Sequence, residues 1–417
     1  MNDTPGTGME PWPVRTPIAV VGIGADGWDG LGAAAREAVE RSEVVFGSSR
    51  QLAMLSSGGP ERLPWPSPLL PALADLLAAH RNRRVCVLAS GDPMFYGIGV
   101  SLAKLLGPQA LRVLPQPSSA SLACARLGWG LAEIAVVTAV GRPIETVLPE
   151  LAHRRRILVL SEHERTPSDL AKVLSGNGFG QSRMTVLEQL GGVAERMVQG
   201  VAADWAEPPG DRLNIVAVDC LADRAAPRLT RLPGLPDEIY RGDGQLTKRE
   251  VRTLSLAALA PSPGELLWDV GGGSGTIAIE WCRTHPACRA ITFERSGARR
   301  GQIAANALAL GVPGITVLGE VLEELADDEF PTPDAIFLGG GLTQPGLFEN
   351  CWVRLRSGGR LVVNAVTAEA ETLLGAWAAE FGGALTRFQV YRAEPLGGFT
   401  TWRPHLPITQ WAVVKDG

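Results

Sequence analysis

Between residues 17 and 220, short apolar runs alternate with longer stretches whose apolar residues recur at helical spacing. The runs at 18–23, 44–46, 85–89, 111–114, 134–138, 157–160, 184–188 and 213–218 predict strands. Segments such as 69–79, 100–106 and 118–127 predict helices packed on a sheet. That alternation is an α/β pattern. The periodicity stops over 222–236, ADRAAPRLTRLPGLP, whose three prolines and three arginines suit an exposed connection. Beyond it a helix is expected over 246–259, opened by Thr247 with Glu250 three residues on, the spacing of a capping box. A second α/β series follows, with strands at 266–270, 290–293, 316–318, 335–338 and 360–364 and helices starting at Thr276 and Ala298. The domains are therefore expected at 17–222 and 237–417, joined by a linker at 223–236 and preceded by a disordered extension at 1–16.

Composition adds exclusions. A chain of 417 residues is long for one core, and 45% apolar residues supply material for two or three domains. The formal net charge of −5 is spread over both halves, so nucleic acid is not an expected partner. No uninterrupted apolar run approaches the roughly 18 residues of a bilayer span, and the start has no secretory pattern. Six scattered cysteines without a Cys-x-x-Cys pair predict free buried thiols, no metal site and a cytoplasmic location.

The segment DVGGGSG at 269–275 falls where a strand ends and a helix begins. Its glycines let backbone approach a ligand, and the helix start offers free N–H groups. Glu294, at the end of the next strand, can accept hydrogen bonds from two ribose hydroxyls. A nucleoside ligand is expected. A dinucleotide fingerprint would place glycine where Thr276 stands, so the pattern is Asp-x-Gly-x-Gly-x-Gly, which resembles class I S-adenosylmethionine-dependent methyltransferases. The first half carries GIGADG at 22–27, but Glu43 lies at the wrong end of its strand to bind a ribose.

Further resemblance is carried by LPDEI at 235–239, LTKREVR at 246–252 and WDVGGGSGTIAIE at 268–280. Together they resemble the cobalamin-biosynthetic methyltransferases that act on carbon 15 of the corrin ring and decarboxylate its ring C acetate. In the first half, SGDPMFYGIG at 90–99 and PSSAS at 117–121 resemble the tetrapyrrole methylases, nearest to those that methylate carbon 5. The resemblance implies a two-lobed tetrapyrrole methylase fold followed by a Rossmann-like class I methyltransferase fold. It implies two S-adenosylmethionine sites, one lined by Gly91, Asp92, Pro93, Tyr96, Gly97, Ser118, Ser119 and Ala120. The other takes Thr247, Gly271, Gly272, Gly273, Ser274, Gly275, Glu294, Glu320 and Val321; the family shows Asp where this chain has Glu320. The 22–27 loop would face the substrate mouth.

The implied reaction converts precorrin-6Y to precorrin-8X with two methyl donors and loss of carbon dioxide. Such a substrate carries many carboxylates, for which an excess of 35 Arg over 4 Lys provides partners. Arg142, Lys248, Arg249 and Arg252 are the candidates for substrate binding, and Asp237, Glu238 and Glu250 for acid or base. A homo-oligomer and transient contact with neighbouring pathway enzymes are further expectations. A methyltransferase of another tetrapyrrole and a carrier of corrin intermediates remain open at this level.

Overall fold

The computed structural model describes Trp12 and residues 16–242, 244–327 and 330–416. Most of the expected N-terminal extension, 1–11 and 13–15, lies outside the described residues; Trp12 is buried in the first core, its indole donating to the Thr16 carbonyl at 3.0 Å. The chain divides into two compact units. The first holds the described residues up to Arg142 with His153–Ala226, the second Pro143–Ala152 and everything from Pro227 on.

The first unit contains two five-stranded sheets. One is parallel, in the order β3 (Glu61–Pro64), β2 (Val44–Gly47), β4 (Val85–Ser90), β1 (Ile18–Ile23), β5 (Leu111–Leu114). All six residues of β1 are buried, as continuous apolar runs require when both faces of a parallel sheet are covered. The other sheet is mixed, in the order β6 (Ala135–Thr138), β7 (Arg156–Leu160), β10 (Asn214–Asp219), β8 (Arg183–Glu188), β9 (Arg196–Val201). Sequence patterning misses β3 and β9. Both are sheet edges with no buried residue, so neither carries the apolar run that marks a central strand.

The second unit is built on one seven-stranded sheet. Its order is β13 (Thr316–Leu318), β12 (Arg289–Phe293), β11 (Leu266–Val270), β14 (Ala335–Leu338), β15 (Arg360–Ala365), β19 (Ile408–Val414), β16 (Ala384–Phe388). Only β19 runs against the rest. The strand order reverses between β11 and β14, where an open α/β sheet binds its ligands beyond the strand ends. A hairpin of β17 (Tyr391–Leu396) and β18 (Phe399–Pro404) forms a separate two-stranded sheet.

Two sequence expectations are corrected. The stretch 223–236 is not an exposed connection throughout: Leu235 is 2% exposed, and the N–H groups of Gly234 and Leu235 donate to the Glu280 carboxylate at 2.6 and 3.0 Å. A buried carboxylate needs such donors, and this segment supplies them. The capping box is also not formed. The helix runs Arg249–Leu259 with Lys248 at its N-cap and no side-chain cap, while Glu250 turns to Arg392 at 2.8 Å.

Candidate functional site

Each unit carries a cleft floored by glycine. In the first, the loop after β4 is fixed by backbone bonds, Gly91 N donating to the Ile23 carbonyl and Gln116 N to the Gly91 carbonyl, both at 3.1 Å. The approach is close enough that a Cβ on Gly22 would stand 1.9 Å from the Gly91 oxygen. Gly91 itself has φ +57°. Tyr96 also takes a positive φ, +54°, held by its hydroxyl on the Val136 carbonyl at 3.1 Å. Ser118 caps the helix Ser119–Leu127 by accepting from Ser121 N.

These parts surround a cavity of about 440 Å³ whose far wall is the second sheet, through Leu160, Leu187 and Ile215. Gly91, Asp92, Tyr96, Gly97, Ser118 and Ser119 line it, as do Gly24 and Ala25 of the 22–27 loop. Pro93 and Ala120 do not. Pro93 is buried and its carbonyl accepts from Gly99 N, while Ala120 is wholly in the core. Arg142 is exposed and outside the cavity. Sequence reading passed over Ser48, Arg50 and Trp65, which also line it, because they follow β2 and β3 with no distinctive spacing.

In the second unit, Gly271 N and Gly272 N donate to the Phe293 carbonyl at 3.0 and 3.1 Å, which pulls the loop against β12. Only glycine fits there: a Cβ on Gly272 would lie 2.2 Å from Thr292 Cγ2, and Gly271, Gly273 and Gly275 have φ of +81°, +57° and +79°. Glu294 is 5% exposed; its Oε2 accepts from Gly273 N at 3.0 Å and its Oε1 from Ser296 N at 2.9 Å. The cavity above is about 830 Å³. Thr247, Gly271, Gly272, Gly273, Glu294, Glu320 and Val321 line it, together with Lys248. Glu320 caps the helix Val321–Asp327, accepting from Leu322 N at 2.8 Å and Glu323 N at 3.0 Å, and its other oxygen accepts from Gln344. Ser274 and Gly275 stand outside. Ser274 is 1% exposed and donates to the Gln245 carbonyl, and Gly275 is the helix N-cap. Unforeseen lining comes from Gly339–Gly341, Gln344, Arg295 and Arg299.

The remaining candidates are placed elsewhere. Arg252 is fully buried and uses its guanidinium inside the fold, on Glu280 at 2.5 Å, Asp237 at 3.1 Å and the Thr247 and Leu235 carbonyls. It is not available to a substrate. The signal was in the sequence: 252, 255, 256 and 259 share one helix face, and all four are buried. Arg249 and Glu238 are exposed and line neither cavity. Asp237 pairs with Arg252 and, at 3.8 Å, with Arg392. For Glu250, burial pushes the carboxyl up, but the Arg392 hydrogen bond, a backbone hydrogen bond and the charges of Arg392 and Arg249 together hold the group below its ordinary value. Neither Asp237 nor Glu250 lines either cleft.

Asp269 opens the glycine segment and is 1% exposed. Burial pushes its carboxyl up to about 7, the hydrogen bond from Ala278 N opposes this, and the Glu294 charge adds to it. The folded value exceeds the unfolded one, near 4, so this group's contribution is fully present below about pH 4 and is lost as pH rises towards 7. Asp269→Asn should therefore gain in urea midpoint over the parent at pH 8 and gain little at pH 4. Equal gains at both pH values would refute the shift.

Among the described residues no helix is long and apolar enough to cross a membrane. All six cysteines are buried and free.

Comparison with known proteins matches two families to separate parts of the chain. Residues 17–206 match the family of tetrapyrrole (corrin/porphyrin) methylases, and residues 238–415 match the precorrin methyltransferase domain. The chain is 48% identical to precorrin-6Y C(5,15)-methyltransferase [decarboxylating] of Mycobacterium tuberculosis, over 95% of this chain and all of that protein. It is 31% identical to cobalt-precorrin-7 C(5)-methyltransferase of Salmonella typhimurium over 45% of this chain and 94% of that one. A probable cobalt-precorrin-6B C(15)-methyltransferase (decarboxylating) of Pyrobaculum aerophilum is 32% identical over 42% of this chain and 93% of its own.

Proposed function

The chain belongs to the family of precorrin-6Y C(5,15)-methyltransferases (decarboxylating), and on that premise we propose that its two clefts divide the two methylations between them. The protein is an S-adenosylmethionine-dependent methyltransferase of cobalamin biosynthesis, with precorrin-6Y as its substrate and decarboxylation as part of its activity. The first unit methylates carbon 5. The second methylates carbon 15 and releases the ring C acetate carboxyl as carbon dioxide, giving precorrin-8X. Each unit binds its own methyl donor.

The observation that carries this reading is the presence of two separate cavities, each floored by glycines whose Cβ would strike backbone or a packed side chain. Bare backbone of that kind suits a nucleoside, and Glu294, facing the second cavity, suits ribose hydroxyls. S-adenosylmethionine supplies a methyl group already activated on a sulfonium. The protein's work is to hold donor and ring in line and to exclude water, which can supply several kcal/mol of the barrier. Gly91, Asp92, Tyr96, Gly97, Ser118 and Ser119 hold the donor in the first cleft; Thr247, Gly271–Gly273, Glu294, Glu320 and Val321 hold it in the second. Lys248 is the retained candidate for a substrate carboxylate. Decarboxylation breaks the bond to the acetate carboxyl, its electron pair passes into the protonated conjugated ring, and a proton then adds at the former methylene carbon to leave a methyl group, so the second cleft needs to desolvate the acetate rather than to supply a nucleophile. The reaction takes place in the cytoplasm.

Calorimetry on the full chain should find two moles of S-adenosylmethionine bound, and mass analysis should find two methyl additions with one loss of carbon dioxide. Gly91→Ala should weaken donor binding in the first cleft by roughly tenfold, since an L-residue at its φ costs about 1–2 kcal/mol. It should slow methylation at carbon 5 and spare carbon 15. Binding of a single donor, or equal slowing at both carbons, would defeat the division of labour.

A further inference from the structure

We infer that Arg50 receives a carboxylate in the cleft of the first unit. The inference rests on the reading of that cleft as the carbon 5 site. Arg50 sits on the helix Ser49–Ala53 that follows β2, at the edge of the parallel sheet where its strands end. Among the described residues it is the one cation lining the cavity, and Asp92 the one carboxylate.

The guanidinium is incompletely used. Of the five N–H bonds such a group carries, one reaches Ser90 Oγ at 3.2 Å and another the Met54 sulfur at 3.9 Å. No ion pair is formed by Arg50 among the described residues. Partial burial works against its charge and holds it below its ordinary value, and Asp211 opposes this only in part, through space and without touching it. Asp92 forms no ion pair with it; its Oδ1 accepts from Met94 N at 2.8 Å.

The neighbourhood is arranged for an anion. Ser90 Oγ accepts from both Arg50 and Gln51, at 3.2 and 3.1 Å, so its own hydrogen is left to donate to a third group. Gln51 is 6% exposed and is fixed by its capping box with Ser48, which holds the pair in register. Around this polar corner the cavity wall is apolar, with Leu88, Phe95 and Trp65. A partly buried guanidinium and a hydroxyl donor within such a wall select a carboxylate, and a fork of parallel donors binds it in two-point fashion. A carboxylate can come from two sources in this reaction: a side chain of the precorrin or the methionyl end of S-adenosylmethionine.

Arg50→Met and Arg50→Lys in the full chain, with precorrin-6Y and S-adenosylmethionine as probes, separate these. If the precorrin supplies the carboxylate, Arg50→Met raises KM for precorrin in carbon 5 methylation by about 10- to 100-fold, and donor affinity in the first cleft holds. If the donor supplies it, calorimetry shows the same loss in one of the two donor sites. Either result supports the inference when Arg50→Lys recovers part of the loss, the thermal midpoint is unchanged and carbon 15 methylation with carbon dioxide release proceeds at the parent rate. Changes within twofold in both quantities overturn it. So does a lysine variant as impaired as the methionine variant with a lowered midpoint, which would make Arg50 a structural residue. A parent chain that leaves carbon 5 unmethylated would refute the assignment of the cleft itself, independently of either variant.

Discussion

Arg252→Met should destabilise the second unit by about 3–5 kcal/mol, the usual cost of breaking a buried ion pair from one side. The arginine is wholly buried beside Glu280, itself 2% exposed, and the Tyr240 ring lies 5.0 Å from its guanidinium carbon. Removing it leaves Glu280 with three donors, Gly234 N, Leu235 N and the Tyr240 hydroxyl, but no opposing charge at contact. Burial, with the Glu280 charge adding to it, drives the Tyr240 hydroxyl well above its ordinary value, so that group stays a neutral hydrogen-bond donor and brings no positive charge. The backbone loses as well, because the Leu235 and Thr247 carbonyls bond to the same guanidinium. Urea unfolding followed by tryptophan fluorescence reads the loss, since Trp268, Trp281 and Trp411 are all buried in this unit. Adding Glu280→Gln should recover part of it by neutralising the stranded charge. A single variant within about 1 kcal/mol of the parent would show that the pair is not structural.

Glu294→Ala should raise KM for S-adenosylmethionine at carbon 15 by roughly 30- to 1000-fold, equivalent to about 2–4 kcal/mol for the loss of charge-assisted bonds to two hydroxyls. Carbon dioxide release should fall with it, and carbon 5 methylation should not. Glu294→Asp, which keeps the charge on a shorter arm, should lie between. The carboxylate also holds Gly273 N and Ser296 N, so a thermal scan is needed beside the kinetics. A fall in midpoint with KM unchanged would assign Glu294 to loop support instead of ribose recognition.

How much of this was legible depends on where each residue lies. Central strands announce themselves: β1, β11 and β14 were bounded from sequence to the residue, because strands buried on both faces must be largely apolar, whereas β5 and β13, which are sheet edges, were found by their apolar letters alone. The region after β15 was not. It holds β16, exposed except at Phe388, and a hairpin in which Tyr391, Phe399 and Trp402 are more than half exposed, so apolar pattern and burial part company there. Glycine segments were legible for a different reason. A backbone that must approach a neighbour closely admits no side chain, and that requirement is written directly as Gly.

Charged residues were the least legible. The like-charged residues Lys248, Arg249 and Arg252 stand within five positions, yet one lines the cleft, one faces solvent and one is locked in the core. Arg50 carried no signal at all and became visible only when β2 and β4 set it beside Ser90, forty residues on. The sequence by itself determined two α/β units, the two glycine floors and the acid at the end of β12, since each is a local demand of backbone geometry or of burial. Which charges reach a ligand was decided only by the tertiary structure. A guanidinium binds whatever acceptors surround it, and those acceptors come from distant parts of the chain.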